Sequence, residues 1–424
     1  MRNRRLIALL QIKHCKKNFL RCFFCALVFC STANMVFAYY EARPAIRMSD
    51  VLTSQQAQSL YHRVVDIELD GKFYNFYVDS DMGNYDISSL AMFRTRIQEI
   101  STLAQAISEF SRKDDNLSEE IRGQFSIRAD SAIDIISRPV ESATNLAAQV
   151  ADNLNQTLSG LPENATNTFG YHGQELADPV ASMHKRNIAS QWGLDVYSTN
   201  LRVQEFLNAV TKVRSSGRIS AGTPMLRSQI NKPLKAADIE IETYTAFLLK
   251  SKSVRELDQI NRRLLIDMKI NDEIVDKFLQ HTAFSPRHKT RISHYLDSLQ
   301  GVRNRSAFIE AASEIDSEVL ALAFDESAMM LKYYHDKVAK LEKLFAGSEM
   351  LEAISKDGRI VYFVPIDLIY WSETTEQLFD SLQNNAKQSG FNVWELVIAG
   401  SLTEEAAKAL KQRNFTVREK FVNQ

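Results

Sequence analysis

The chain has 424 residues, of which 45% are hydrophobic and 24% are charged, a composition typical of globular proteins. Its formal net charge is −1 at pH 7, and it has no long basic run after the first 21 residues, which argues against nucleic acid as a partner. The length predicts two or three domains.

The first 38 residues have the pattern of a secretory signal. Residues 1–21 carry seven positive charges and no acidic residue, and residues 22–30 (CFFCALVFC) form an uninterrupted apolar run. Val36 and Ala38 then supply small side chains at the −3 and −1 positions of a cleavage site. We therefore predict an exported protein of the periplasm or cell envelope with a cleaved leader. An uncleaved leader, which would make a membrane-anchored envelope protein, is the alternative.

Cleavage after residue 38 would change the chemistry that is open to the chain. All four cysteines lie in the first 30 residues, so the mature protein would contain none. This excludes disulfides, thiolate nucleophiles and cysteine-ligated metals. Loss of seven positive charges would take the formal net charge from −1 to −8.

The mature chain begins with its clearest β pattern. Apolar residues alternate over 62–69 and again over 72–79, with Asp70-Gly71 between them as a two-residue turn. A third short strand is predicted over 85–87. Since an isolated hairpin is marginally stable, this one is expected to pack on a helix.

Long amphipathic helices are predicted next. Residues 88–110 carry apolar side chains at spacings of three and four, which indicates a helix that covers the hairpin. The spacing also fits a coiled-coil seam, so a homo-oligomer is the alternative use of this face. Further helices are predicted over 118–136 and 139–160.

Residues 178–200 (DPVASMHKRNIASQWGLDVYSTN) carry the clearest local signals. Asp178 and Pro179 are typical of an N-cap and a first helical position, and Gly193 is typical of a residue that ends a helix. A short polar loop follows, and Asn200 can cap the next helix. The stretch is predicted to be a helix, a tight loop and a second helix.

The region after a Ser/Gly/Pro-rich loop at 215–233 is predicted to be helical throughout residues 234–347. Ser253 and Glu256 form a capping box, and Ser285-Pro286 opens another helix. Residues 308–345 are predicted to form one or two long helices, because apolar side chains keep a heptad-like order up to Phe345.

The last part of the chain changes period. Strands are predicted over 359–364, 393–399 and 415–420, with helices over 373–388 and from a capping box at Ser401 to Leu410. This β-α-β-α-β order indicates a small α/β unit with partly parallel strands. The predicted fold class is α+β and predominantly α-helical, with an N-terminal β-hairpin packed on helices, a central helical block and the C-terminal unit. The predicted divisions are 1–38, 39–170, 171–347 and 348–424.

The loop around residues 195–200 is the best candidate for a site. Arg186, Asp195, Tyr197 and Asn200 are the predicted binding residues. In the enzymatic alternative, a cysteine-independent hydrolase or transferase, His184 acts as a base with Arg186, Asp195 and Tyr197. The bland interpretation places His184 on the apolar face of its helix, where it is part of the packing.

Other chemistry has weaker support in the sequence. His281, His288 and His294 lack the paired spacing of an HExxH metal site, and no phosphate-binding loop or GxSxG elbow occurs. Glu310, Glu314 and Glu318 form a row at i, i+4 spacing, which we interpret as a solvated stripe. Asp367 follows a predicted strand, where α/β sites often lie, but a lone aspartate there is weak evidence and helix capping is the favoured interpretation. No metal, cofactor or catalytic residue is predicted.

Three segments resemble a family of exported, uncharacterised bacterial proteins. They are GKFYNFYVDSDMGNYDI at 71–87, IASQWGLDVYSTN at 188–200 and DGRIVYFVPIDLIYW at 357–371. The most specific piece is GLDVYSTN, in which Val196 stands where the family more usually has proline. The resemblance implies export and transfers no activity, substrate or catalytic residue.

The leading hypothesis from the sequence is therefore an exported binding or scaffolding protein. Its partner is expected to be a protein or a small molecule, with a membrane involved only through residues 1–38. An enzymatic role is not favoured.

Overall fold

The computed structural model describes residues 40–113, 179–215, 236–346 and 351–421. The fold is mixed α+β with more helix than strand, as the sequence predicts, and the described elements form one compact unit within Ala42–Gln424. The predicted leader, the helices over 118–136 and 139–160 and the loop over 215–233 lie outside the described residues or almost entirely so.

An antiparallel three-stranded sheet opens the described chain. Two short helices, α1 (Met48–Val51) and α2 (Ser54–Ala57), precede the sheet. The strands lie in the sheet in the order β1-β2-β3. The strands are β1 (His62–Asp70), β2 (Phe73–Ser80) and β3 (Gly83–Ser88).

Two details of this sheet differ from the prediction. Asp70 pairs with Phe73, so the turn residues are Gly71 and Lys72 rather than Asp70 and Gly71. Gly71 has φ of +59°, a left-handed conformation that glycine adopts without strain. The register also shifts between Val64 and Asp66, and this bulge buries Val64 and leaves Val65 only partly buried.

The long helix α3 (Leu90–Lys113) packs on this sheet, as expected for the helix predicted over 88–110. Phe93 stacks on Phe76 of β2 with ring centroids 4.2 Å apart. Ser89 has φ of +77°, and its Oγ accepts a hydrogen bond from the Met92 N–H at 3.1 Å. The chain thus turns from the sheet directly into the helix.

The middle of the chain is a helical block. Its members are α4 (Pro179–Trp192), α5 (Leu201–Ser215), α6 (Ala236–Ser251), α7 (Val254–Asp267), α8 (Asp272–Gln280), α9 (Pro286–Ser298), α10 (Ser306–Ala312) and α11 (Glu318–Lys337). The local signals predicted several of these ends correctly. Ser253 and Glu256 form the capping box of α7, and Ser285 caps α9 with Pro286 at its start.

The prediction of helix up to residue 345 is wrong. Helix α11 ends at Lys337, and β4 (Leu341–Ala346) pairs antiparallel with a strand that was not predicted, β5 (Leu351–Ser355). Leu341 and Leu344 are buried in β4, and their spacing of three would also place them on one face of a helix. The apolar spacing therefore could not separate a continuing helix from a bulged strand.

The C-terminal part contains a five-stranded mixed sheet in the order β10-β8-β6-β5-β4. Its remaining strands are β6 (Ile360–Val364), β8 (Trp394–Ile398) and β10 (Phe415–Arg418), which are parallel to one another as predicted. Helices α12 (Glu373–Gln388) and α13 (Glu404–Gln412) contribute to the core on one face. The predicted capping box at Ser401 is displaced, because Thr403 is the N-cap of α13.

Ser401 instead lies in a two-residue strand. Strands β7 (Leu368–Ile369) and β9 (Ser401–Leu402) pair in parallel beyond the carboxyl ends of β6 and β8. The second face of the large sheet shares a core with the helical block, in which Phe363 and Val397 join Tyr334, Leu331 and Leu296. The core therefore runs across the division predicted at residues 347 and 348.

Candidate functional site

The loop between α4 and α5 begins with a glycine-ended helix, as predicted. Gly193 has φ of +69°, and the Leu194 N–H donates back to the Ala189 carbonyl at 2.9 Å. Leu194 and Trp192 are buried. The loop therefore leaves the helix with its first residue already anchored in the core.

Polar side chains then fix the path of the loop. The Asp195 carboxylate accepts a hydrogen bond from the Tyr197 N–H at 2.9 Å, and Ser198 Oγ accepts one from the Asn200 N–H at 3.0 Å. Asn200 Oδ1 accepts one from the Arg202 N–H at 3.1 Å, which caps α5. Such short-range bonds hold a loop in one conformation, as the sequence interpretation allowed.

Gln204 on α5 binds the backbone of the loop. Its side-chain amide donates to the carbonyls of Val196 at 3.0 Å and Ser198 at 2.7 Å. Its own oxygen accepts a hydrogen bond from Lys185 Nζ of α4 at 2.8 Å. Burial lowers the pKa of Lys185 to about 8, so this link between the two helices loses its positive charge at mildly alkaline pH.

A buried glutamate on α3 receives the loop. Glu99 accepts hydrogen bonds from Ser198 Oγ at 2.5 Å and from the Asn200 side-chain amide at 3.1 Å. The same carboxylate pairs with Arg96 at 2.9 Å. One carboxylate thus ties the loop to α3 through two donors of the loop, while Arg96 on α3 compensates its charge.

Arg96 extends this network to α11. Its guanidinium donates to Ser198 Oγ at 3.3 Å and to Thr199 Oγ1. It lies 3.5 Å from the Glu318 carboxylate, which also accepts a hydrogen bond from Thr199 Oγ1 at 2.5 Å. We call the set Arg96, Glu99, Ser198, Thr199, Asn200 and Glu318 the junction network. It joins α3, the loop and the start of α11.

The predicted binding residues face different neighbours. Asp195 pairs with Arg287 of α9 at 3.2 Å, whereas Asn200 faces Glu99. Tyr197 is buried in a small apolar cluster with Leu248, Val254 and Leu257 of α6 and α7. Arg186 is buried on α4. The loop thus distributes Asp195, Tyr197 and Asn200 among three surroundings.

The histidines and the glutamate row also separate. His184 is partly buried, and His288 is buried, which lowers its pKa. The chain between α10 and α11 interrupts the row of Glu310, Glu314 and Glu318, so the predicted common helical face does not exist. Among the described residues, no group of three or more His, Cys, Asp or Glu side chains could hold a metal ion.

Asp367 occupies a second buried polar centre. Its carboxylate accepts hydrogen bonds from the backbone N–H groups of Tyr74 and Leu90, both at 2.9 Å. It therefore caps a helix, but this helix is α3, 277 residues earlier, rather than the one that follows it. Burial raises the pKa of Asp367 to about 6.

Sequence reasoning missed Arg96, Glu99 and Glu326. Met92, Arg96, Glu99 and Leu103 follow one another at spacings of four, three and four, so both charges lie on a largely buried stripe of α3. A charged pair within such a stripe was the available signal. Glu326 of α11 has a pKa raised to about 7 by burial and by the nearby Asp367.

Comparison of the chain with protein-family profiles, curated proteins and solved structures found no match. The helices within the described ranges are all too short or too polar to span a membrane.

Proposed function

We propose that this chain is an exported protein of the periplasm or cell envelope that acts by binding or scaffolding. The observation that carries the proposal is the junction network, in which the loop's polar side chains bond one another and two neighbouring helices. A loop built in this way supplies rigidity, and a rigid arrangement of helices is what a binding surface requires. On this proposal, the N-terminal sheet, the helical block and the C-terminal sheet act as one framework.

The enzymatic alternative lacks a comparable observation. His184, Arg186, Asp195 and Tyr197 would have to meet around a substrate, whereas Asp195 faces Arg287 and Tyr197 lies in an apolar cluster. The anchored-protein alternative differs only in the fate of residues 1–38.

Export is tested by expressing the full chain in a bacterial host and measuring the intact mass of the protein from each cell fraction. The expected result is a periplasmic or envelope protein that lacks residues 1–38. Recovery of the protein from the cytoplasm with those residues attached would contradict export. Recovery in the membrane fraction with the leader intact would support the anchored alternative.

Binding is tested on the exposed aromatic side chains of α6. Tyr244 and Phe247 lie about one helical turn apart and are 51% and 59% exposed, which is typical of side chains that contact a protein partner. The experiment is chemical crosslinking in cells followed by purification of the chain. Replacing both residues with serine should remove a crosslinked protein that the wild type retains.

The matched control is Leu60→Ser, which removes one apolar side chain that is 80% exposed elsewhere on the surface. This variant should keep the crosslinked protein. If the double variant captures the same protein in the same amount as the wild type, this face of α6 is not the binding surface.

A further inference from the structure

Three distant parts of the chain meet at Asp367. The carboxylate accepts the N–H groups of Tyr74 and Leu90, and the Asp367 N–H donates to the Lys72 carbonyl at 3.1 Å. The start of β2 and the first turn of α3 are thus held by one buried side chain of the loop after β6. We call this contact the Asp367 junction.

Helix α11 brings a second carboxylate to the same place. Leu322 packs against the apolar cluster that contains Leu368, the neighbour of Asp367. Glu326 lies four residues after Leu322 and therefore on the same face of the helix. Its electrostatic neighbours include Asp367 and, on α3, Arg94.

The other charged neighbours of the pair are already engaged. Asp325 and Arg291 also act on Glu326, but they pair with each other at 2.7 Å. Burial, together with the nearby charge of Asp367, raises the pKa of Tyr74 to about 12 and keeps its hydroxyl neutral.

Two neighbouring carboxylates in partial or full burial cannot both ionise without cost, because each charge loses water and repels the other. Burial is the largest cause of the raised pKa of Glu326, about 7, and of Asp367, about 6. The positive charge of Arg94 lowers both pKa values and so offsets part of the effect of burial. One proton is therefore retained between them at mildly acidic pH and released near neutral pH.

We propose that the Asp367 junction is a proton-sensitive latch. With a proton on the Glu326–Asp367 pair, the loop after β6 holds β2 and α3. Release of the proton places two like charges in the junction and favours its local opening. The latch is a property of the fold and is independent of the proposed binding function.

The direction of the pH effect follows from the proton balance. The usual pKa of Glu326 is 4.5 and the value in the folded chain is about 7, so the closed junction binds more protons than the opened one between these values. Its stability therefore falls as pH rises through this window and reaches its lower level by about pH 8. Titration of Glu326 alone should raise the equilibrium constant for opening of the Asp367 junction about tenfold between pH 6 and pH 8.

Amide hydrogen exchange of the mature protein tests the latch. After correction for the intrinsic pH dependence of exchange, peptides that contain the Tyr74 and Leu90 amides should show about tenfold more opening at pH 8 than at pH 6. In Glu326→Gln, which keeps the shape of the protonated side chain, this difference should fall to about twofold, the part that the raised pKa of Asp367 leaves.

Glu310→Gln is the control, since Glu310 is exposed and lies on α10. This variant should keep the pH difference of the wild type. A wild-type protein with equal corrected opening at both pH values overturns the proposal, even if Glu326→Gln fails to fold. A Glu326→Gln variant that folds and retains the full difference also overturns it.

Discussion

Glu99 and Glu205 each follow an arginine by three residues on a helix, and each pairs with it at 2.9–3.0 Å. They differ in their surroundings. Glu99 is buried and holds Ser198 and Asn200 as well as Arg96, whereas Glu205 and Arg202 form a half-exposed pair. A buried charge or donor that loses its partner costs more free energy than an exposed one. Loss of Glu99 should therefore lower the stability of the fold more than loss of Glu205.

We expect Glu99→Ala to destabilise the protein by roughly 3–5 kcal/mol, because it leaves two buried donors without an acceptor and removes the closer of the two carboxylates that pair with Arg96. Glu205→Ala should cost at most about 1 kcal/mol, as expected for a surface pair. Urea unfolding of both variants measures the difference. Equal losses of stability in the two variants would mean that the junction network does not hold α3 to the loop.

The sequence could have shown that Glu99 is unusual but not what it binds. Its place on a buried stripe of α3 is visible from spacing alone. Its partners Ser198 and Asn200 are 99 and 101 residues away, and no local pattern encodes that proximity. In contrast, the hydrogen bonds of Asp195 and Asn200 to backbone two residues ahead are local, and the interpretation of the loop as structural depends on such bonds.

At the scale of elements, a cap within three residues predicted the helix starts at Ser253 and Ser285, whereas the same signal at Ser401 was displaced by two residues. The change from α11 to β4 was not predictable, because the apolar residues near its end fit two periods. What decides the outcome is the pairing of β4 with β5, a tertiary contact. The same holds for β7 and β9, which pair only because two loops cross at Gly400.

Gly400 permits this crossing. Its N–H donates to the Ile366 carbonyl, and a Cβ added to it would lie 2.0 Å from the Asp367 carbonyl oxygen. Since backbone atoms cannot swing aside, Gly400→Ala should cost about 3 kcal/mol or more, the upper end for an overpacked site. Differential scanning calorimetry should show the lower Tm.

Gly358→Ala is the matched control for that variant. Gly358 has φ of +84° and open space around the added Cβ, so only the left-handed conformation penalises the change, by about 1–2 kcal/mol. If the two variants lose similar stability, the loops after β6 and β8 can move apart and the close contact is not required.

At the scale of the whole molecule, the C-terminal sheet shares its core with the helical block, although its β-α-β-α-β sequence pattern indicates a separate unit. Its Phe363, Val397 and Leu351 belong to the core of the helical block, and buried Glu395 bonds Tyr334 of α11 at 2.7 Å. Both features lie across the division predicted at residue 347. The division at residue 347 remains a prediction from the sequence. The spacing of apolar residues changes there, although the hydrophobic core continues across it.

A fragment of residues 348–424 should therefore fail to fold alone. It would lack β4, expose one apolar face of the sheet and leave Glu395 without Tyr334. We expect no cooperative thermal transition by circular dichroism, whereas a fragment of residues 236–424 should show one. A sharp transition of the short fragment would establish the C-terminal unit as an independent domain.

The Asp367 junction also sets the order in which the chain can complete its fold. The Tyr74 N–H bonds a carboxylate 293 residues later, so this contact between the first sheet and the loop after β6 forms only after residue 367 has been synthesised. If the protein is exported, as we propose, this delay is useful. Until residue 367 has emerged, the first sheet and α3 would have only their own contacts, without the two hydrogen bonds of Asp367.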